Sequence, residues 1–455
     1  MDTLDPPRAQ GLTADAVRTC IEVLRAIEAD RSQLTQLSQA QRRELLTLAG
    51  LIAKPERHDL VKMAKAFRRA DRAAARERDA QIIQRSGLRI QRRATRYTPL
   101  WLPPPQATDT PQAQPTLGKS RNCYVCKQAF TLTHRYYDSM CRDCAHFNYA
   151  KREQTADLSG RFALVTGARV KIGYQAALKL LRAGAHVAVT TRFAADAAGR
   201  YALEPDYPQF KERLQIQGLD LRHSPSVELF ARSLLERLPR LDYVLNNACQ
   251  TVRRPAAFYA HLLEKEATSV ARLHDEALFP AHRYDEDLQQ VDLRDTNSWR
   301  LRMHEVGTPE LLEVHLVNAI APYILNARLK SLMVATPGAH KHIVNVSAME
   351  GQFYRTLKTE RHPHTNMAKA ALNMMTRTSA PDYFRDGIYM NAVDTGWITD
   401  EDPAVHAARK AELGFAPPLD IIDGAARILD PIFAGCGSGT HVWGQFLKDY
   451  KPAPW

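Results

Sequence analysis

The sequence predicts a mixed α/β protein whose larger part is a doubly wound parallel sheet, preceded by an α-helical arm and a small cysteine module. Three observations carry this. From about residue 158 to 450, short apolar runs ("FALVTG", "AHVAVTT", "LDYVLNNA", "HIVNVSA", "YMNAVDTG") alternate with helical patterns such as "IGYQAALKLLRAG", as strand–helix–strand units require. Four cysteines fall in two tight pairs between residues 123 and 144. The residues before them repeat their apolar side chains at helical spacing.

Bulk properties bound the answer. A chain of 455 residues has room for two or three domains. Its 62 Lys and Arg against 50 Asp and Glu, a net charge of +12, favour solubility first and an acidic or nucleic-acid partner second. No run approaches the roughly 18 apolar residues of a membrane span, and "MDTLDPPRAQ" lacks the basic start and apolar run of a secretory leader. The expectation is a cytoplasmic protein without membrane contact. Seven cysteines are too few for a disulfide scaffold at this length.

Residues 1–97 form the basic helical arm. Val17, Ile21 and Leu24, then Leu45, Leu48 and Ile52, mark two helices, with "SQAQ" from Ser38 resembling a capping box. A long helix follows, with Gly87 as its stop and an excess of about nine positive charges between Lys54 and Tyr97. A solvated charged face accounts for this more simply than nucleic-acid contact, since no base-reading motif accompanies it. Residues 98–118, dense in proline, read as a linker.

Residues 119–150 hold the cysteine module. Cys123, Cys126, Cys141 and Cys144 stand in a C-x2-C-x14-C-x2-C pattern, in which each pair can bring two thiolates to one tetrahedral ion. Zinc suits four thiolates, and with all four positions closed the site is structural.

From 158 to 450 the turn "LVTGARVKIG" ends the first strand and opens a helix, where backbone N–H groups can meet a pyrophosphate. "LDL" with Asp220, "NNAC" at Asn246 to Cys249, "LVNA" with Asn318, "VSA" with Ser347 and "NMAKAAL" with Lys369 follow in order. Together these resemble the short-chain dehydrogenase/reductase family, and the resemblance implies a Rossmann-like fold and a nicotinamide cofactor. It assigns Thr166, Gly167, Arg169, Lys171, Ile172, Gly173, Arg192, Asp220, Leu221, Asn247, Ala248 and Lys369 to the cofactor. Lys171 replaces the middle glycine of the family's turn, and Cys249 replaces the last glycine after Asn246. After the second strand, "VAVTTRF" offers Arg192 and no acid for a ribose hydroxyl, which in relatives selects NADP(H) over NAD.

In the family a Tyr, a Lys, a Ser and an Asn carry the chemistry. Ser347, Lys369 and Asn318 match, but Thr365 stands where the tyrosine belongs. An aliphatic hydroxyl is a far weaker acid than a phenol titrating near about 10. The longer segment from Ser347 to Lys369 contains Tyr354 and His364, and an added loop is expected to swing one of them inward as a substitute acid. An insertion at about 250–305 follows the fourth strand on the ligand side of the sheet, as a lid, a docking surface or a dimer contact.

The resemblance thus implies an NADP-dependent oxidoreductase with a non-standard proton donor, acting on a small-molecule or carrier-bound carbonyl or alcohol. Two alternatives stay open: a silent NADP(H)-sensing or scaffold protein, and a protein anchored to nucleic acid through arm and zinc module. A protein partner at the zinc module or insertion, and a homo-oligomer, are the remaining partner expectations.

Overall fold

The computed structural model describes residues 13–93, 116–263, 266, 280, 283–285, 289–354 and 358–455. Most of the proline-rich linker and the middle of the insertion lie outside the described residues. The chain divides into two compact units, residues 1–77 and 78–455.

In the first unit, α1 (Ala14–Ala29) is capped by the Thr13 hydroxyl, and α2 (Gln39–Ala53) opens with the capping box read from "SQAQ", Ser38 and Gln41 each satisfying the other's backbone N–H. A long helix, α3 (Arg57–Gln84), begins here and runs past residue 77. No side chain of these three helices is buried. No helix among the described residues is long and apolar enough to cross a membrane.

The second unit continues with α4 (Gly87–Arg92), a β1 (Thr116–Asn122) and β2 (Ala129–Leu132) hairpin, and α5 (Arg142–Glu153). The sheet then builds as β3 (Phe162–Thr166), α6 (Lys171–Arg182), β4 (His186–Thr191), α7 (Ala194–Ala202), α8 (Tyr207–Phe210), β5 (Leu214–Gly218), α9 (Ser224–Arg237) and β6 (Tyr243–Asn246). After the insertion, with its short α10 (Ala260–Leu263), come α11 (Thr308–His315), α12 (Ala321–Ala335), β7 (Lys341–Ser347), α13 (Pro363–Arg385), β8 (Ile388–Asp394), α14 (Ala404–Glu412), α15 (Ile421–Ser438), β9 (Phe446–Lys448) and β10 (Lys451–Ala453).

The strand order is β10-β9-β8-β7-β6-β3-β4-β5, parallel except for the β9–β10 pair. Because strand side chains alternate between faces, Ala163 and Val165 pack toward α6 and α15, while Leu164 packs toward α9, α12 and α13. The order in which successive strands join the sheet reverses between the parallel neighbours β3 and β6, and the crevice beyond the carboxyl ends of strands at such a switch is where ligands bind in open α/β sheets.

A buried amide network fixes this crevice. Asn246 Nδ2 donates to Asn326 Oδ1 and to Asn345 Oδ1, both at 2.8 Å, and Asn345 Nδ2 donates to Thr376 Oγ1 at 2.9 Å. Two strands and two helices are thereby locked in register, because a buried amide that lost its partner would cost about 1–3 kcal/mol.

The cysteine module is welded to the sheet domain. Tyr136, Tyr137, Met140 and Cys123 share one core with Ile398, Leu419 and Ile421. Arg152 pairs with Asp420 at 2.7 Å and Asp423 at 3.0 Å, and Arg427 donates to Asn148 at 2.7 Å. Burial alone would raise the Asp420 carboxyl, but Arg152 and the Tyr136 hydroxyl outweigh it and hold it well below the usual carboxylate range.

Candidate active site

A cleft of about 420 Å³ opens at the switch point. Its floor is the turn after β3. Gly167 takes φ +67°, and a Cβ there would sit 2.8 Å from Ala248 Cα, so only glycine fits. Asn247 Nδ2 donates to Thr166 O at 2.9 Å and Gly167 O at 3.2 Å, and Ala248 N donates to Thr166 Oγ1 at 3.0 Å. Gly173 is equally obligatory, since a Cβ would fall 2.3 Å from Asn247 Nδ2.

Lys171 takes a left-handed backbone of the kind that favours glycine, with φ +56°. That left-handed conformation costs a side-chain-bearing residue about 1–2 kcal/mol. Its side chain lines the cleft and faces Glu401, which also lines it. Burial raises the Glu401 carboxyl, but Lys171, Arg254 and the hydroxyls of Thr399 and Thr251 pull it below its ordinary value. No side chain caps the first turn of α6, so its N–H groups remain available to an anion.

One end of the cleft is rich in arginine. Arg169 lies buried and paired to Asp196 at 2.8 Å. Arg222 grips Asp220 at 2.5 Å; burial raises that carboxyl, yet the Arg222 bonds bring it lower, with Arg192 adding attraction. Arg192 itself lies over the rings of Tyr259 and Phe193, 4.6 and 5.3 Å from their centroids, and no carboxylate pairs with it among the described residues.

At the other end, Ser347 Oγ donates to Asn373 Oδ1 at 2.6 Å and Lys369 Nζ to Val346 O at 2.8 Å. Both side chains line the cleft, together with Thr365, whose buried Oγ1 has no hydrogen-bond partner among the described residues. One turn of α13 separates Thr365 from Lys369, so the two share a face of the helix.

Three expected residues stand elsewhere. Tyr354 is 95% exposed in the loop after β7 and does not swing inward. His364 is buried beside Glu310, His315 and His362, away from the cleft, and burial lowers its pKa. It points across α13 because the neighbouring position, Thr365, already occupies the cleft side. Asn318 sits in a π-helical turn, Leu316–Ile320, and is spent on the Gln250 backbone, accepting from its N–H at 2.8 Å and donating to its carbonyl at 2.9 Å. Of the nucleotide set, Thr166 lies beneath the turn rather than on the cleft surface.

The insertion supplies cleft residues that sequence reasoning missed: Arg254, Phe258, Tyr259, Gln289 and Trp299. Trp299 stacks on His362 at 4.0 Å between centroids. Glu350, Thr399 and Glu401 were missed as well.

The four thiols converge as the spacing anticipates. Their sulfurs all lie within 4.8 Å of one another, and those of Cys126 and Cys141 are 3.7 Å apart. Four thiolates about 2.3 Å from a tetrahedral zinc would be separated by about 3.8 Å, so the cluster fits a zinc knuckle. Burial opposes ionisation of Cys123, but backbone N–H groups of Cys141, Cys126 and Val125 outweigh it and bring that thiol down to about 7.

A short chain dehydrogenase model matches residues 161–271 and an enoyl-(acyl carrier protein) reductase model matches residues 296–413. The chain belongs to the short-chain dehydrogenase/reductase family. An uncharacterized protein of Acanthamoeba polyphaga mimivirus is 33% identical over 352 residues, 72% of this chain and 74% of that protein. Dehydrogenase/reductase SDR family member 13 of Bos taurus is 36% identical over 104 residues, 22% of this chain and only 27% of its own length. A short chain dehydrogenase from Burkholderia cenocepacia, solved in complex with NADP, is 20% identical, with a TM-score of 0.45 over 64% of this chain and 96% of that one.

Proposed function

We propose that this member of the family is an NADP(H)-dependent oxidoreductase interconverting a carbonyl and an alcohol, with one structural zinc in its cysteine module. One observation carries the reading: Ser347 and Lys369 open into the same cleft as the glycine-bearing turn and Arg192. When bound, the nicotinamide supplies or accepts the hydride. The N–H groups of the turn and of the first turn of α6 hold the pyrophosphate, and Lys171 adds positive charge beside them. Arg192, directly after β4 and in no ion pair among the described residues, takes the ribose 2′-phosphate.

Ser347 orients the substrate oxygen. With Thr365 in the tyrosine's place, a hydroxyl relays the proton: it gives its hydrogen to the substrate oxygen while accepting one from the Lys369 ammonium, and never has to ionise. Equilibrium binding of NADPH and NADH to the zinc-replete protein tests the cofactor, and turnover of a panel of aldehydes and ketones tests the chemistry. The reading fails if neither nucleotide binds.

A second reading has its own observation. Because Tyr354 and His364 stand outside the cleft, the phenol is not replaced, and a cofactor-sensing protein without turnover fits the same pocket. NADPH binding with no carbonyl reduced, and no change on Lys369→Ala, distinguishes it.

A further inference from the structure

One wall of the cleft is the segment that leaves β8, where Thr395, Thr399 and Glu401 face the cavity. It belongs to no helix or strand. Its backbone is gripped instead by residues that precede the sheet domain. The Tyr124 hydroxyl accepts a hydrogen bond from Trp397 N at 2.9 Å. The Arg92 guanidinium donates to Ile398 O at 2.8 Å and to Leu419 O at 2.7 Å. Gly396, at φ +80°, lets the chain pass so close that a Cβ would lie 3.2 Å from the Tyr124 hydroxyl and 2.5 Å from Leu419 Cδ1.

The same grip reaches the opposite wall. Ile398, 4% exposed, shares the core of Cys123, Tyr136 and Tyr137, and Ile172 from the first turn of α6 packs against that core. Gly424 makes room for both isoleucines, since a Cβ there would fall 2.4 Å from Ile398 and 3.0 Å from Ile172. One small core therefore touches the pyrophosphate turn and the wall facing it.

Tyr124 is set by the thiol knuckle. It follows Cys123 directly, its N–H is held by Ser139 O at 2.8 Å, and Cys123 exchanges backbone bonds with Gln128 and Lys127 at 2.8 and 3.0 Å. A metal ion that fixes the four sulfurs fixes the phenol as well.

We propose that the cysteine module is a positioning device for the cleft, in which Tyr124 and Arg92 hold Thr395 to Glu401 in place and metal occupancy sets how firmly the wall stands. The proposal rests on the reading of the cleft as a dinucleotide site, and its test separates the two. Hydrogen exchange of the peptide spanning residues 396–402, and NADPH affinity, are measured on full-length zinc-replete protein, on Tyr124→Phe, on wild type stripped of metal by a chelator, and on Lys151→Met. Lys151→Met cuts a different bridge from the same module, to Asp430 on α15.

Tyr124→Phe and metal removal should each speed exchange across 396–402 by about tenfold and weaken NADPH binding about three- to tenfold. The Tyr124→Phe melting temperature and the exchange of β3 and β7 should stay at wild-type values, and Lys151→Met should match wild type in every reading. Wild-type exchange across 396–402 in Tyr124→Phe overturns the proposal, as does an equal effect of Lys151→Met, which would signify general loosening. If stripped protein unfolds, Tyr124→Phe, which retains all four cysteines, decides. If wild type binds no nicotinamide nucleotide, the cofactor reading falls while local exchange still decides for or against the wall.

Discussion

Replacing Arg192 by alanine should change which nucleotide the cleft prefers. Its guanidinium is held over Tyr259 at 4.6 Å and over Phe193 at 5.3 Å, so it is oriented without being neutralised. The neighbouring cations cannot substitute, because Arg169 is committed to Asp196 and Arg222 to Asp220 and Glu313. A charge-assisted hydrogen bond is worth about 1.5–3 kcal/mol. Arg192 is only half-buried, so solvent and salt screening place the loss near the lower end, about 1.5–2 kcal/mol, or roughly 10- to 30-fold in Kd. NADPH affinity, measured by fluorescence titration, should fall by that factor while NADH affinity stays within about twofold. Equal weakening of both nucleotides, or of neither, would refute the assignment of Arg192 to a 2′-phosphate.

Other outcomes follow from the same structure. Thr365→Tyr restores a phenol one turn before Lys369, and should raise carbonyl turnover by at least about tenfold, general acids being worth about 10²–10⁴; steady-state kinetics at saturating NADPH read this, and an unchanged rate would count against the relay position. Lys179 is pushed down to about 8, by burial first and then by Arg152 and Arg182. Its unfolded form binds more protons between about pH 8 and its ordinary value of 10.5, so this group makes stability rise with pH across that window, by on the order of 1–3 kcal/mol. Urea midpoints should show the rise in wild type and not in Lys179→Met. Elemental analysis should find one zinc per chain, lost in Cys141→Ser together with stability.

The fold was legible where local pattern and tertiary role agree. Alternating apolar runs announced the strands, Ser38 and Gln41 announced a cap that forms as written, and the cysteine spacing announced a cluster whose sulfurs meet. The glycine-bearing turn was legible too, and Lys171 enters it with the left-handed backbone that favours glycine. What stayed hidden depends on contacts between distant segments. Trp299 and Tyr259 reach the cleft from an insertion with no motif, and Glu401 gains its environment from Lys171 and Thr251 far upstream. Tyr354 and His364 were misjudged because a titratable residue near a site in sequence says nothing of its direction: Tyr354 lies in an exposed loop, and on α13 the single-residue step from Thr365 turns His364 off the cleft face.

The bonds from Arg92 to the carbonyls of Ile398 and Leu419 span 306 and 327 residues of chain, and that separation dictates an order of assembly. The cysteines lie close together in sequence, so their loop closes at small entropic cost and metal can be captured as soon as Cys144 emerges. Synthesis at about 5–20 residues per second then leaves the module waiting roughly 13–55 seconds for the segments it clasps. Through that interval the faces of Tyr136 and Tyr137 that will bury Leu419 and Ile421 stay uncovered. The cleft is therefore among the last parts of the molecule to mature, and a chain that stops at the end of β8 carries the four-cysteine cluster without the wall it clasps.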